Sequence, residues 1–312
     1  MFDLSISIAH LGGKDMLGDC LRSLLASFQN VTAEVTVVDN ASNDGSVEMI
    51  ETEFSSVRLI RLSSKQGFTA NHNLGLRGAT GRYVCILNND TVIRPGAFDK
   101  IIQFLDAHPE FGIAAPMIFN PDGTAQPCCG PFVTLWSELS ANVLPAKWVK
   151  RPVAHESGRN TQDVGGNLCT PDWVGGVCLV ARREVWETLG GLDEGFYIFF
   201  EETDLCRRAR NAGWKIAHVL DAEVVHFGGQ NTGEGWMHET KFLIYCRSQL
   251  RYFRKHHRFW EIVALRTGSV LGFLLKIALW SLISLAPSRR AWAVPHVRLF
   301  QRAAKVALGM RA

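Results

Sequence analysis

Over its first 117 residues the chain alternates short β-rich runs with segments of helical period, and this alternation restricts the fold more than any other feature. The runs "LSISIAHL", "AEVTVVD", "VRLIRL", "RYVCIL" and "FGIAAP" are separated by periodic stretches at 16–28, 46–54, 71–78 and 96–108. Strands alternating with helices of this length predict βαβ units and a parallel sheet covered on both faces. Ligands of such sheets lie beyond the carboxyl ends of the strands. Those ends read "AHLGG" at 9–13, "DNASNDGS" at 39–46 and "NNDT" at 88–91. None holds the Gly-x-Gly-x-x-Gly of a dinucleotide fold or the Gly-Lys-Ser/Thr of a P-loop, which argues against NAD enzymes and simple NTPases.

Residues 118–172 differ in kind. They carry "NPDGTAQPCCGP" and "RPVAHESGRN" around a short helical pattern near 135–143, and read as a long excursion over the sheet. Order resumes at "WVGGVCLVARREVWETLGGLDEGFYIFFEETDLCRRARNAGW", with a strand, a short helix, a helix at 201–211 and then two short strands. From residue 236 the pattern is helical, first basic and aromatic ("RSQLRYFRKHHRFW"), then apolar over 262–286 apart from Arg266, Thr267, Lys276 and a few serines. That length nearly suffices for a membrane span, but Lys276 favours a helix lying in the interface. The alternative is a helical hairpin buried against the main domain.

A net charge of +3 gives no case for nucleic acid as a partner. Eight cysteines show neither Cys-x-x-Cys nor zinc-type spacing and several sit in apolar runs, so the expectation is reduced thiols in a reducing compartment. The N-terminus enters a strand directly and reads as lacking a signal peptide.

Four places could carry chemistry. Asn88 and Asp90, at i and i+2 of a strand-end turn, can face one hard cation, or can simply make the turn. His226, between "AEVV" and a glycine-rich loop at 228–235, reads as a metal ligand whose loop closes over the site, or as a solvated His. Glu201, Glu202 and Asp204 follow the aromatic run "GFYIFF". Acids in a first helical turn are expected from the helix dipole, yet one set against an apolar wall gains a raised pKa and can act as a general base. Asp39 ends "VTVVD" and can accept from a ribose hydroxyl or a base N–H, or start the turn.

Taken together, "VVDNASNDGS", "QGFTANHNLGL", "YVCILNNDTVIRPGAF", the "WVGGVCLV…FFEETDLCRRARNAGW" block and "AEVVHFGGQNT" resemble the inverting glycosyltransferases of family 2, most closely bacterial rhamnosyltransferases of cell-surface polysaccharide assembly. The match runs in order from about Ser5 to about His257. It implies the α/β GT-A nucleotide-diphospho-sugar transferase fold, a mixed, mostly parallel sheet flanked by helices. The catalytic domain would span 1–235, with a donor half to about 117 and an acceptor half from 118, and a helical extension at 236–312 would be membrane-associated through 247–286.

The resemblance assigns Asp39 to the nucleobase and Gly67, His72 and Asn73 to the donor-side loop. Asn88, Asn89 and Asp90 take the place of the Asp-x-Asp element, with Asp90 on a Mg²⁺ or Mn²⁺ and Asn88 and His226 as further ligands. Glu202, flanked by Glu201 and Asp204, falls at the general base, and Trp173, Gly175 and Gly176 line the acceptor side. Three positions depart from the family. Asn88 stands for the first acid, removing one negative charge; Glu202 stands for an Asp, one methylene longer; and His10-Leu11 replaces Tyr-Asn. No Gln-x-x-Arg-Trp of processive synthases is present, so a single addition per acceptor is expected.

The implied partners are a dTDP- or UDP-type sugar donor, favoured as dTDP-rhamnose, and a lipid-linked or oligosaccharide acceptor at the cytoplasmic face of a membrane. Competing readings are a nucleotidyltransferase acting on sugar phosphates, for which "AHLGGKDM" is a poor phosphate loop, and a non-catalytic nucleotide-sugar-binding assembly protein.

Overall fold

The computed structural model describes residues 2–143, 168–228 and 239–310. Contacts divide them into two compact units, one of residues 2–132, 168–197 and 201–228, the other of 133–143, 198–200 and 239–310.

The first unit is built on a sheet of nine strands among the described residues. Strands β1 (Leu4–His10), β2 (Ala33–Asp39), β3 (Arg58–Arg61) and β4 (Tyr83–Asn88) run parallel in the order β3-β2-β1-β4. Next comes β10 (Cys178–Arg182), antiparallel to both β4 and β6 (Phe111–Phe119). Beyond β6 lie β11 (Lys215–His226), parallel to it, and β5 (Thr91–Ile93), antiparallel to β11; β8 (Leu168–Cys169) pairs with β11 off this path. The sheet is therefore mixed but mostly parallel. The two short strands expected after residue 211 are one strand, β11, whose register against β6 breaks between Val219 and Glu223.

Period-two alternation gives the sheet two buried faces. Leu4, Ile6, Ile8, Cys85 and Leu87 face one core with Leu17, Leu21 and Leu24 of α1 (Lys14–Ser27) and Phe98, Ile101 and Leu105 of α4 (Ala97–Ala107). Val84, Ile86 and Leu179 face the other, with Val185 and Trp186 of α6 (Arg183–Leu189) and Leu205, Cys206 and Ala209 of α7 (Glu201–Asn211). Helix α2 (Ser46–Glu53) follows β2, and α3 (Phe68–Gly75) precedes β4.

Helix α3 begins three residues before the stretch the periodicity marks. Its start is set from outside: the Phe68 N–H donates to the Tyr197 carbonyl at 2.8 Å and Thr69 Oγ1 to the Phe196 carbonyl at 2.6 Å. Gly67 is needed at this approach, since a Cβ there would lie 3.0 Å from the Tyr197 carbonyl oxygen. A two-stranded sheet of β7 (Cys129–Gly130) and β9 (Trp173–Val174) completes the unit. All eight cysteines are free thiols.

The second unit comprises α5 (Leu135–Val143), α8 (Glu239–His256), α9 (Phe259–Ser284) and α10 (Pro287–Leu308). Buried Glu138 of α5 accepts from Tyr245 Oη at 3.1 Å and from Gln249 Nε2, which ties α5 to α8. Proline at the first position of α10 and left-handed Gly309 after its last turn bound that helix at both ends.

Candidate active site

The parallel strands bring three polar ends to one edge of the sheet. His10 lies opposite Asp39, and Ala9 opposite Asn88. Because β10 runs the other way, its amino end, preceded by Gly175 and Gly176, reaches the same edge, where the Asn88 N–H donates to the Val177 carbonyl at 2.9 Å.

Beyond Asn88 the turn is pinned on both sides. The Thr91 hydroxyl donates to the Asn88 carbonyl at 2.8 Å, and the Phe227 N–H donates to the Asp90 carbonyl at 2.9 Å, which brings the end of β11 against the turn. The sequence separates Asp90 and His226 by most of the domain, yet Asp90 Oδ1 lies 3.3 Å from His226 Nε2. Asn88 Nδ2 is also 3.3 Å from that nitrogen, and His226 Nδ1 donates to Gln126 Oε1 at 2.8 Å. With Nδ1 protonated toward Gln126, Nε2 presents a lone pair. Asp90 Oδ1 and His226 Nε2 are then two acceptors facing each other, an arrangement a cation bridges. A histidine oriented through its other nitrogen by a carbonyl is the support metal-ligating histidines use.

One carboxylate, one imidazole and an amide suit Mg²⁺ or Mn²⁺ when substrate oxygens and water fill the remaining positions. Among the described residues no group of three or more His, Cys, Asp or Glu side chains is placed to hold a metal by itself. The residues fit a cation that takes its remaining ligands from elsewhere.

Asn89 turns the other way. Its Nδ2 donates to His10 Nδ1 at 2.8 Å and to the Gly12 carbonyl at 3.2 Å. Fully buried His10 passes the chain on, its Nε2 donating to Ser46 Oγ at 2.7 Å, and Ser46 in turn bonds Asp44. Burial holds the His10 imidazole below its ordinary pKa, as a neutral bridge requires. His10 thus braces the middle residue of the Asn-Asn-Asp turn.

Asp39 is buried at the end of β2 and accepts from Ser42 Oγ. It lines a cleft of about 560 Å³ with Ala41, Ser42, Asn43, Arg61 and Leu62. Asn40, not singled out by the sequence, clasps Gln66: its Nδ2 donates to the Gln66 carbonyl at 2.9 Å and its Oδ1 accepts from the Gln66 N–H at 2.7 Å. This fixes the approach to Gly67.

Two residues expected in the donor loop have other work. His72 is fully buried against Ser7 Oγ of β1 at 3.1 Å, and burial pushes its pKa down to about 3. Asn73 clasps the turn ahead of α7, donating to the Leu192 carbonyl at 2.8 Å and accepting from the Leu192 N–H at 3.0 Å. Both position the loop, and neither is brought to the strand-end edge.

Glu202 stands in the first turn of α7, partly exposed, with its Cβ 3.8 Å from the place a Cβ on Gly176 would occupy. Phe68 and Ile86 border the same space. Gly176 does not have the positive φ that favours glycine; what its missing side chain leaves is room beside Glu202. Gly175 is held by its N–H on the Cys128 carbonyl, and the Trp173 indole donates to the Pro131 carbonyl at 2.9 Å. Phe199 and Phe200, just before Glu201, have φ of 72° and 68°. Bulky residues in this region cost about 1–2 kcal/mol each, strain of the kind that collects at functional turns.

The three acids of this turn are not alike. Asp204 is fully buried and takes Arg208 Nε at 2.7 Å, while the same guanidinium donates to the Leu189 and Gly191 carbonyls. It locks α7 to the turn before it. Glu201 is buried with Oε2 lacking a hydrogen-bond partner among the described residues, and burial, reinforced by the charge of Glu202, pushes its carboxyl well above the usual range. Burial also raises Glu202, against the opposing pull of backbone N–H groups and the Thr203 hydroxyl.

A carboxyl whose pKa rises on folding binds its proton more tightly in the folded chain, so its contribution to stability is greatest at low pH and declines as pH climbs through the raised value. Glu201→Gln is therefore expected to flatten the fall in stability on going from about pH 5 to about pH 8. Urea unfolding at the two pH values measures it; an unchanged pH slope would remove Glu201 as the source.

Residues 5–138 match the family model described as Glycosyl transferase family 2. Those residues form a glycosyltransferase family 2 domain. The transferase is 29% identical over 235 residues to the N-acetylglucosaminyl-diphospho-decaprenol L-rhamnosyltransferase of Mycobacterium tuberculosis, covering 69% of this chain and 74% of that one. It is 26% identical to the O-antigen biosynthesis protein RfbC of Myxococcus xanthus over 72% of its own length, but over 17% of that larger protein.

Among solved structures, the mannosyltransferase PcManGT from Pyrobaculum calidifontis, in complex with GDP-Man and Mn²⁺, superposes over 98% of this chain and 86% of its own, with a TM-score of 0.55 at 15% identity. The fold is GT-A. The loop at 228–235, expected to close over the site, lies outside the described residues beyond Gly228.

Proposed function

We propose that the enzyme transfers rhamnose from dTDP-rhamnose, with inversion, to a hydroxyl of a lipid-linked or polysaccharide acceptor at the cytoplasmic face of a membrane, in a reaction dependent on Mg²⁺ or Mn²⁺. The observation that carries this reading is the meeting of Asp90, His226 and Asn88 on the sheet edge that Glu202 also borders through Gly176. The sugar and the lipid-linked acceptor rest on similarity to the mycobacterial enzyme, whose name specifies both.

Glu202 takes the proton of the acceptor hydroxyl, whose oxygen attacks the anomeric carbon from the side opposite the diphosphate. The new C–O bond forms as the bond to the diphosphate oxygen breaks, and the nucleoside diphosphate leaves. Asp90 and His226, with Asn88 beside them, would hold the cation, which when bound neutralises charge growing on the leaving diphosphate. Asp39 and its cleft offer an acceptor group for a base N–H. Gln126 keeps His226 turned toward Asp90.

A melting screen of dTDP, UDP and GDP with and without Mn²⁺ tests donor and metal together. A ligand in hundredfold excess over its Kd stabilises the native state by about 2.7 kcal/mol, a readable rise in Tm. The expected result is a rise with dTDP that is larger in Mn²⁺. A response to GDP alone would reject the donor assignment, and equal shifts with and without Mn²⁺ would reject the metal.

A further inference from the structure

Residues 240–312 contain fourteen Lys and Arg and a single acid, Glu261, a net +13 in a chain whose total is +3; residues 1–239 therefore carry a net −10. Within this basic segment lies the most apolar helix of the described residues. Helix α9 is long and apolar enough to cross a membrane, and little of its apolar stretch is buried.

The two cations inside α9 do not interrupt its exposed side. Arg266 Nε donates to the Ala307 carbonyl of α10 at 2.8 Å. Lys276 Nζ lies 5.4 Å from the centre of the Phe300 ring and 5.8 Å from that of Phe273. Both turn into the seam with α10, so Lys276, which interrupts the apolar run of the sequence, leaves the outer face intact. That face presents Leu271, Leu274, Leu275, Leu279, Leu282 and Leu285, each more than half exposed. Three- and four-residue spacing stacks them on one side as an uncharged stripe. Soluble monomers rarely leave such a surface uncovered.

The end of the hairpin is suited to a boundary between water and lipid. Arg289 and Arg290 are exposed at the start of α10, and Trp292 is exposed with its ring edge-on to Trp280 at 4.6 Å. His296 stacks on the other ring partner, Trp280, at 4.1 Å. Amphipathic rings beside arginines are enriched at membrane interfaces.

We propose that the α9–α10 hairpin is a lipid-docking surface, the leucine face of α9 entering the headgroup and acyl boundary of an anionic bilayer while Arg289, Arg290 and neighbouring cations engage its phosphates. Charge selects this occupant. A second copy docked through the same face would bring one +13 segment against another, whereas an anionic leaflet attracts each cation near its surface. Lying in the interface is favoured over spanning, because α10 adds five cations and no acid, which the hydrocarbon interior excludes.

The test is flotation of the full chain with phosphatidylcholine vesicles, with and without about 30% phosphatidylglycerol. The chain is expected to float with the anionic vesicles, far less with neutral ones, and less again at high salt. Leu275→Glu with Leu282→Glu should lower partitioning by about tenfold or more. Circular dichroism melting checks that this variant folds, and Arg289→Glu with Arg290→Glu, at exposed positions, gives an independent reading. The proposal fails if anionic vesicles do not recruit the chain, or if neither double variant weakens recruitment. It also fails if light scattering shows a dimer that the leucine substitutions convert to monomer, since the stripe would then belong to a second copy. No transfer activity enters the measurement, so this surface and the catalytic reading stand or fall separately.

Discussion

Glu202→Gln is expected to lower turnover by about 10²–10⁴-fold while leaving donor affinity within about twofold, the loss characteristic of a missing general base. The Cβ of Glu202 borders the space left by Gly176, and burial holds its carboxyl above the usual glutamate range. A higher pKa makes it a stronger base, and it also confines the ionised form to higher pH. The pH profile of kcat should therefore rise through an apparent pKa above that of an ordinary glutamate, and this limb should disappear in the variant.

Stability should move the opposite way. The glutamine does not ionise where ionisation is opposed by burial, so the variant should melt no lower than the parent at neutral pH. Lower turnover with unchanged or higher stability separates a catalytic role from a structural one. Glu202→Asp keeps the carboxylate but draws it back by one methylene, and should stay within about a hundredfold of the parent. A glutamine variant that kept most of its rate, with the pH limb intact, would remove Glu202 from the chemistry.

What the sequence made legible follows from the range over which each feature is determined. The parallel core of the sheet and the polar stops of β1, β2 and β4 are local patterns, and they led directly to Asp39, Asn88 and Asp90. The antiparallel placement of β10 is not local; it depends on the long connection after β6. Gln126 orients His226 across 100 positions of sequence, and no motif marks it. His10 reads as an odd substitution until the fold puts it under Asn89, 79 positions away. His72 and Asn73 share a loop motif with Gly67, but helical geometry turns one toward β1 and the other toward the turn at 192–194. The positive φ of Phe199 and Phe200 runs against the preference of aromatic residues and is imposed by tertiary structure. Lys276 shows the same limit in the second unit, since its direction depends on a partner helix that hydropathy does not reveal.

Asp90→Asn is expected to abolish the enhancement of nucleotide diphosphate binding by Mn²⁺ and to reduce turnover by about 10²–10³-fold, the scale of losing one preorganised stabiliser of transition-state charge. Its side chain contributes the one carboxylate among Asn88, Asp90 and His226, so the amide would leave the cation without a negatively charged protein ligand there. The reverse substitution, Asn88→Asp, restores a second acid and should tighten Mn²⁺ binding by about tenfold or more, because affinity for hard cations follows ligand charge.

The cost of Asn88→Asp appears when metal is withdrawn. Asn88 Nδ2 now lies 3.3 Å from His226 Nε2, as a donor facing a lone pair. An aspartate there would place a second carboxylate against that lone pair, favouring either a bound cation or a protonated imidazole. Thermal melts in chelator and in Mn²⁺ should consequently diverge more for Asn88→Asp than for the parent, and converge for Asp90→Asn. Calorimetric titration of Mn²⁺ into each protein with dTDP present gives the affinities directly. If Asp90→Asn bound Mn²⁺ as the parent does, or if the parent kept full activity in chelator, the meeting of Asp90 and His226 would have to be read as an ordinary carboxylate–histidine contact that closes the end of β11 onto the turn.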